Sequence, residues 1–129
     1  MPKGTLPSSG FKPAGWPTVI PRVITDDVAG VTGFMRSVFD AECTLRGEGP
    51  AEVRIGDSLV MVSDGGGLRE ASPAFLYIYV ADTDATYRRA IELGAAVVEE
   101  PADMPYGDRR AMVRDAWGNL WQMATRQAK

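Results

Sequence analysis

The chain has 129 residues, of which 45% are hydrophobic and 24% charged, and its formal net charge is −3. This length is typical of one domain with a sizeable core, and the scattered basic residues disfavour nucleic acid as a partner. The chain contains no histidine, which removes the commonest general base and the commonest transition-metal ligand. Its mildly acidic balance favours a cationic small molecule over an anionic one.

Three features of the sequence indicate where in the cell the protein is located. No apolar run approaches the roughly 18 residues that a membrane span needs, so we expect no membrane partner. Residues 1–15 lack the apolar centre of a secretory signal. Cys43 is the only cysteine, which excludes an intrachain disulfide and favours a cytoplasmic location.

The first half of the chain begins with a segment rich in proline, glycine and serine, residues 1–15, which we expect to lie over the surface as an arm. Residues 18–24 are β-branched and predict a strand, in which Pro21 favours an edge position or a bulge. Thr25, Asp26 and Asp27 predict a helix start. Residues 41–46 predict another strand, and residues 51–55 and 58–63 predict a hairpin with a tight turn at Gly56-Asp57. The buried helical stripe is predicted to contain Val28, Val31, Phe34, Met35, Val38 and Phe39.

The second half repeats this order. Residues 65–73 predict a flexible linker, and residues 74–80 (Ala-Phe-Leu-Tyr-Ile-Tyr-Val) predict the strongest strand. Asp82 is expected to cap a second helix, for which Gly94 suits the C-terminal end. Residues 95–99 predict a short strand and residues 101–107 a loop. The chain then closes with a hairpin whose strands flank a turn at Gly118-Asn119.

The two halves form an internal repeat. Asp26, Val31 and Met35 recur as Asp82, Tyr87 and Ile91 at a constant offset. We therefore predict an α+β fold of two βαβββ modules in one compact domain. The expected divisions are an arm at residues 1–15, a first module at 16–64, a linker at 65–73 and a second module at 74–126.

Several short motifs resemble one family. They are Tyr-Gly-Asp-Arg from Tyr106, Val-Arg-Asp from Val113, Trp117-Gly118, Arg-Ile-Gly-Asp-Ser from Arg54, and Thr-Val-Ile-Pro from Thr18. With the repeat, they make the chain similar to the vicinal oxygen chelate superfamily, which includes glyoxalase I, extradiol dioxygenases and bleomycin-resistance proteins. The resemblance implies a U-shaped mixed-sheet cleft between the modules and a homodimer.

Metal-dependent members of this superfamily take ligands from the first and last strands of each module. In this chain the corresponding positions are Ile20, Met61, Phe75 and Gln122, of which only Gln122 can offer an oxygen. One neutral amide does not offset the dehydration of a divalent cation, so we expect no metal and no other cofactor. An oxygen-only site remains an alternative, although turn capping and pairing with arginine are commoner uses of such acids. Its candidate ligands are Glu99, Glu100, Asp103, Asp108 and Asp115.

Strand alternation extends the expected cleft beyond these four positions. Phe75, Tyr77 and Tyr79 would share the cleft face, which suits a flat or aromatic ligand. In the alternative interpretation, the rings fill a closed interior and the strand arginines are solvated. A cleft arginine needs a partner, and Glu52 is the candidate for Arg54. The predicted cleft residues are Ile20, Arg22, Arg54, Met61, Phe75, Tyr77, Tyr106, Arg110, Met112 and Gln122.

Three functional hypotheses follow. The first is a metal-independent protein that sequesters an aromatic or cationic drug-like molecule or metabolite, without catalysis. The second is a glyoxalase-like enzyme (lyase, isomerase or dioxygenase type) with a diverged active site, in which Tyr77, Tyr106 or Glu52 acts as acid or base. The third is a stress-associated protein without a small-molecule ligand. Fold alone does not decide between them.

Overall fold

The order of secondary structure shows the repeat directly. In a computed structural model that describes residues 10–45, 49–65 and 70–127, each half runs strand, helix and three strands. The first module contains β1 (Arg22–Ile24), α1 (Val28–Phe39), β2 (Glu42–Thr44), β3 (Ala51–Ile55) and β4 (Ser58–Ser63). The second contains β5 (Phe75–Tyr79), α2 (Thr83–Glu92), β6 (Ala96–Asp103), β7 (Asp108–Arg114) and β8 (Leu120–Arg126). The predicted α+β fold of two βαβββ modules is confirmed.

Some predictions concern residues outside the described ranges. They are most of the arm (residues 1–9), the end of the strand predicted at 41–46 (residue 46), and the centre of the linker (residues 66–69).

Both helices begin where acidic residues predict a start. Asp27 accepts a hydrogen bond from the Gly30 amide at 2.9 Å, and Asp82 accepts one from the Ala85 amide at 3.1 Å. Each carboxylate thus satisfies an amide that has no partner within the helix. Gly94 follows α2 with φ = 99°, a backbone conformation that glycine adopts without steric cost.

Each module forms its own four-stranded sheet. The strand orders are β1-β4-β3-β2 and β5-β8-β7-β6, with the β1–β4 and β5–β8 pairs parallel and the other pairs antiparallel. A parallel pair needs a long crossover, and α1 and α2 lie in those crossovers. The end of β1 meets the segment before β5 at an isolated antiparallel bridge, where the Ser72 amide donates to the Ile24 carbonyl at 3.0 Å.

The hydrophobic core joins the two modules. Trp121 on β8 is completely buried, and its ring centroid lies 6.0 Å from that of Phe34 and 5.5 Å from that of Phe39, both on α1. The predicted α1 stripe therefore packs against a residue of the other module. None of the described helices is long and apolar enough to cross a membrane.

Two predicted strand boundaries are wrong. The strand expected at residues 18–24 begins only at Arg22, so Ile20 precedes it, although the Pro21 carbonyl still accepts from the Met61 amide at 3.0 Å. Proline has no amide hydrogen to continue a ladder. Conversely, β6 extends to Asp103 through Pro101, where a loop was predicted. Register shifts between Val97 and Ala102 explain this, because bulges tolerate proline.

Candidate functional site

Strand β5 presents three aromatic side chains away from the core. Leu76, Ile78 and Val80 pack against the core, whereas Phe75, Tyr77 and Tyr79 retain 59%, 38% and 62% of their exposed surface. This alternation follows from the two-residue period of a strand. In the single chain the rings do not fill a closed interior; they form an open surface, which we call the aromatic face.

Asp108 fixes two of these rings. Its carboxylate, fully buried at the start of β7, accepts hydrogen bonds through Oδ2 from the hydroxyls of Tyr77 at 2.6 Å and Tyr79 at 2.8 Å. Arg126 donates to Oδ1 at 3.2 Å. The two tyrosine rings meet edge to face with centroids 5.5 Å apart. The aromatic face is therefore ordered before any ligand arrives, which lowers the entropic cost of binding.

Tyr106 extends this network. Its hydroxyl lies 3.1 Å from that of Tyr77 and accepts from Arg110 Nη1 at 3.2 Å. Because the single hydroxyl proton of Tyr77 goes to Asp108, Tyr106 must be the donor between the two hydroxyls. Arg110 Nη2 donates to Glu99 at 3.0 Å. All three phenol protons are thus engaged within the protein.

The network shifts the pKa values of its members. Burial and the hydrogen bond to Asp108 raise the pKa of Tyr77, while the Tyr77 and Tyr79 hydroxyls lower the pKa of Asp108. The hydrogen bond to Asp108 also raises the pKa of Tyr79. At neutral pH the two tyrosines are protonated and Asp108 is ionised. The aromatic face can therefore stack a ligand and accept hydrogen bonds at its phenol oxygens, but Tyr77 is a poor base.

The structure brings the predicted residues of the second module together. Register places Tyr77 beside Gln122, and Gln122 beside Met112, in one row across β5, β8 and β7. Phe75 and Arg110 lie on the same face. Gln122 and Met112 are themselves nearly buried, so they form the floor beside the exposed rings.

The predicted residues of the first module are placed differently. Arg22 and Met61 are paired across β1 and β4, and Met61 is opposite Glu52 on β3. Met61 and Glu52 are buried, while Arg22 and Arg54 are exposed and Ile20 is half-buried. Within the described ranges, no strand of the first sheet contacts a strand of the second. The strands that carry these residues are therefore not adjacent to β5, and a cleft shared by the two halves stays a prediction.

The side chains at the four superfamily ligand positions do not fit a metal ion, since Ile20, Met61 and Phe75 have no hard donor. Across the described part of the chain, no three histidine, cysteine, aspartate or glutamate side chains cluster as ligands. Three of the carboxylates considered for an oxygen-only site pair with arginines. Asp103 pairs with Arg109 at 3.0 Å, Glu99 with Arg110 and Asp108 with Arg126.

Asp115 caps the turn between β7 and β8, as predicted for it. Its carboxylate accepts from the amides of Trp117 and Asn119, from Asn119 Nδ2 and from the Trp121 indole, at 2.8–2.9 Å. Donors to this carboxylate are therefore amide and indole groups rather than the expected arginine.

Sequence reasoning missed the central residue of the site. Asp108 was expected to cap a turn or to pair with an arginine, and it does pair with Arg126, but its hydrogen bonds to Tyr77 and Tyr79 were not anticipated. A usable signal was present, because the Tyr-x-Tyr pattern of residues 77–79 needs hydroxyl partners and Tyr106-Gly-Asp108 follows at a predicted strand start.

The fold and the site together define a two-module βαβββ protein with an exposed aromatic face. A model of the Glyoxalase/Bleomycin resistance protein/Dioxygenase superfamily matches residues 18–123, and the chain belongs to this superfamily.

The chain is also similar to individual proteins. An uncharacterized protein of Mycobacterium tuberculosis is 32% identical over 124 residues, which cover 83% of this chain and 73% of that protein. The anthracycline biosynthesis protein DnrV of Streptomyces peucetius is 36% identical over 102 residues, which cover 75% of this chain but 37% of DnrV. The crystal structure of TioX from Micromonospora sp. ML1 is similar with a TM-score of 0.72 at 24% identity, covering 84% of this chain and 97% of TioX.

Proposed function

We propose that this protein binds an aromatic small molecule on the aromatic face, without a metal and without catalysis. The observation that carries the proposal is the pair of exposed tyrosines, Tyr77 and Tyr79, held edge to face by the buried carboxylate of Asp108. A contiguous exposed aromatic surface is typical of a site that contacts a ligand or a partner.

The ligand chemistry follows from the groups on this face. Ring faces stack on flat molecules and attract cations, and the phenol oxygens retain only acceptor capacity. Arg110 has further N–H groups beside Tyr106, which suit a carbonyl or phenol oxygen of the ligand. These features favour a polycyclic aromatic ligand with a cationic group, and the relative DnrV is named for anthracycline biosynthesis.

A catalytic role is less well supported. The acid or base candidates were Tyr77, Tyr106 and Glu52. The raised pKa of Tyr77 keeps its proton in place near neutral pH, and its hydrogen bond to Asp108 directs that proton away from a ligand. Glu52 is buried on the other sheet. A protein that holds its ligand by stacking requires none of these groups to transfer a proton.

A homodimer is part of this proposal, because a second copy that covers part of the aromatic face would enclose the ligand. A cytoplasmic location also stays a prediction, which rests on the single cysteine.

Native mass spectrometry of the protein purified without chelators tests the proposal first. We expect a dimer mass without metal, and one organic ligand per site after incubation with doxorubicin, an anthracycline. Turnover of the bound molecule or a stoichiometric divalent ion would contradict the proposal. Quenching of doxorubicin fluorescence then measures affinity, with Val97→Ala on β6 as a control for an exposed apolar residue away from the face.

A further inference from the structure

A cavity of about 560 Å³ lies between the two modules, beside the outer edge of β5. Its wall is formed by apolar side chains from α1, β4, β5 and α2. They include Val38, Phe39, Val60, Leu76, Ile78 and Ala85. The volume falls within the range of small-molecule sites, and junctions between structural units are common places for them.

The cavity lies where the two sheets are not joined to each other. Ile24 at the end of β1 bridges to Ser72, three residues before β5, and β1 and β5 themselves are not paired. Pro21 lines one wall, and the outer edge of β5 lines the other. A closed eight-stranded sheet would leave no such opening.

The outer edge of β5 supplies polar groups to this cavity. The Val80 amide donates to Ala124, and the Ala74 carbonyl accepts from Leu120, each at 2.8 Å. The even-numbered residues between Ala74 and Val80 therefore make the backbone hydrogen bonds to β8. Because backbone direction alternates along a strand, the N–H and C=O groups of Tyr77 and Tyr79 point toward the open edge. These residues also line the cavity.

The rim of the cavity is acidic. Asp40 follows α1, Asp57 lies in the β3–β4 turn and Asp82 caps α2, and all three line the cavity with Arg89. Arg89 Nη1 already donates to the Val38 carbonyl at 3.1 Å. The charged groups among the described lining residues are therefore three carboxylates and one guanidinium, a balance that favours a cation at the mouth.

We propose that this cavity is a second binding site, which takes an apolar molecule with a primary amine. The apolar body would fill the space among Phe39, Val60 and Ile78, and the ammonium would lie at the acidic rim. The open edge of β5 would accept or donate further hydrogen bonds. The proposal does not depend on ligand binding on the aromatic face, although Tyr77 and Tyr79 border both sites.

The test uses three probes of equal length, 4-phenylbutylamine, 4-phenylbutanol and 4-phenylbutyrate. Methyl NMR spectra would follow Val60 and Ile78 in the cavity during each titration. We expect the amine to bind at least about tenfold more tightly than the carboxylate at low salt, with the alcohol between them, and salt to reduce this preference. Equal affinity for the amine and the carboxylate would overturn the proposal.

Two variants locate the site. Ala85→Leu should fill the cavity and weaken amine binding at least about tenfold, whereas Ala96→Leu on β6 is the control for added surface bulk. Asp57→Asn should reduce the preference for the amine without adding volume.

NMR shifts of Ile78 that follow the protein concentration rather than the probe concentration would overturn the proposal and assign the cavity to contact with a second copy. Doxorubicin binding that persists in Ala85→Leu would show that the aromatic face acts separately.

Discussion

The Tyr77 hydroxyl donates to Asp108 Oδ2 over 2.6 Å, although the two residues are 31 positions apart in the sequence. Asp108 is completely buried and Tyr77 is partly exposed, so a buried charge orients a surface ring. This pair converts a flexible tyrosine into part of an ordered surface. Substitutions at the two residues separate the contribution of the Tyr77 ring from that of the Asp108 carboxylate that orients it.

Tyr77→Ala should weaken ligand binding by about 1–3 kcal/mol, the range for a central aromatic contact. Tyr77→Phe keeps the ring and loses only its hydrogen bonds, so its loss of affinity should be smaller. Calorimetry with doxorubicin measures both. Unchanged affinity in Tyr77→Ala would place the ligand elsewhere.

Asp108→Asn should weaken the same binding by about tenfold, because a neutral amide is a poorer acceptor for two hydroxyls. The variant also tests the pH dependence of folding. The pKa of Asp108 lies below its ordinary value of 3.8, so the folded state favours the ionised form. Its stabilisation is present above the unfolded pKa and is lost as pH falls through the folded pKa.

Urea unfolding at several pH values measures this dependence. The difference in unfolding free energy between the natural protein and Asp108→Asn should be constant between about pH 7 and about pH 5, and should shrink below about pH 3.8. Glu100→Gln, at an exposed residue of β6, provides the comparison. A difference that grows on acidification would refute the assigned ionisation.

Two glycines of α1 should respond oppositely to alanine. A Cβ at Gly30 would collide with the Trp117 ring and the Asp27 carboxylate, which share a hydrogen bond of 3.1 Å between the modules. Gly30→Ala should therefore lose about 1–3 kcal/mol of stability. Nothing lies within 4 Å of a Cβ at Gly33, so Gly33→Ala should gain about 0.5–1 kcal/mol. Thermal unfolding measures the stability of both variants. Equal changes in stability would contradict the close packing of Gly30 against Trp117.

Gly107 positions Arg126 at the site. It has φ = 106°, and an added Cβ would lie 2.6 Å from Arg126 Nη1, which donates to Asp108 and to the Tyr106 carbonyl. Gly56→Ala, in an open turn at φ = 57°, should cost about 1–2 kcal/mol from backbone conformation alone. Gly107→Ala should cost more, and only this variant should also weaken doxorubicin binding. Equal affinities in the two variants would exclude a role of Arg126 in ordering the aromatic face.

Local sequence patterns predicted most of the fold. Acidic residues before apolar periodicity located both helix starts, and alternation separated Leu76 and Ile78 from Phe75, Tyr77 and Tyr79. The errors fell at Pro21 and Pro101, where a strand started late or continued through a bulge. These strand boundaries depend on which residues of a neighbouring strand form hydrogen bonds with the backbone, and the spacing of apolar residues along the chain does not contain that information.

The sequence by itself determined the element types, the two-module repeat and the faces of the strands, because these depend on spacing within a few residues. Only the tertiary structure decided that Asp108 supports Tyr77 and Tyr79, that Trp117 of one module contacts Asp27 of the other, and that a cavity lies between the two modules. Each of these depends on strand register and on the relative placement of two sheets. Both are set by packing among residues far apart in the chain, which local propensities do not encode.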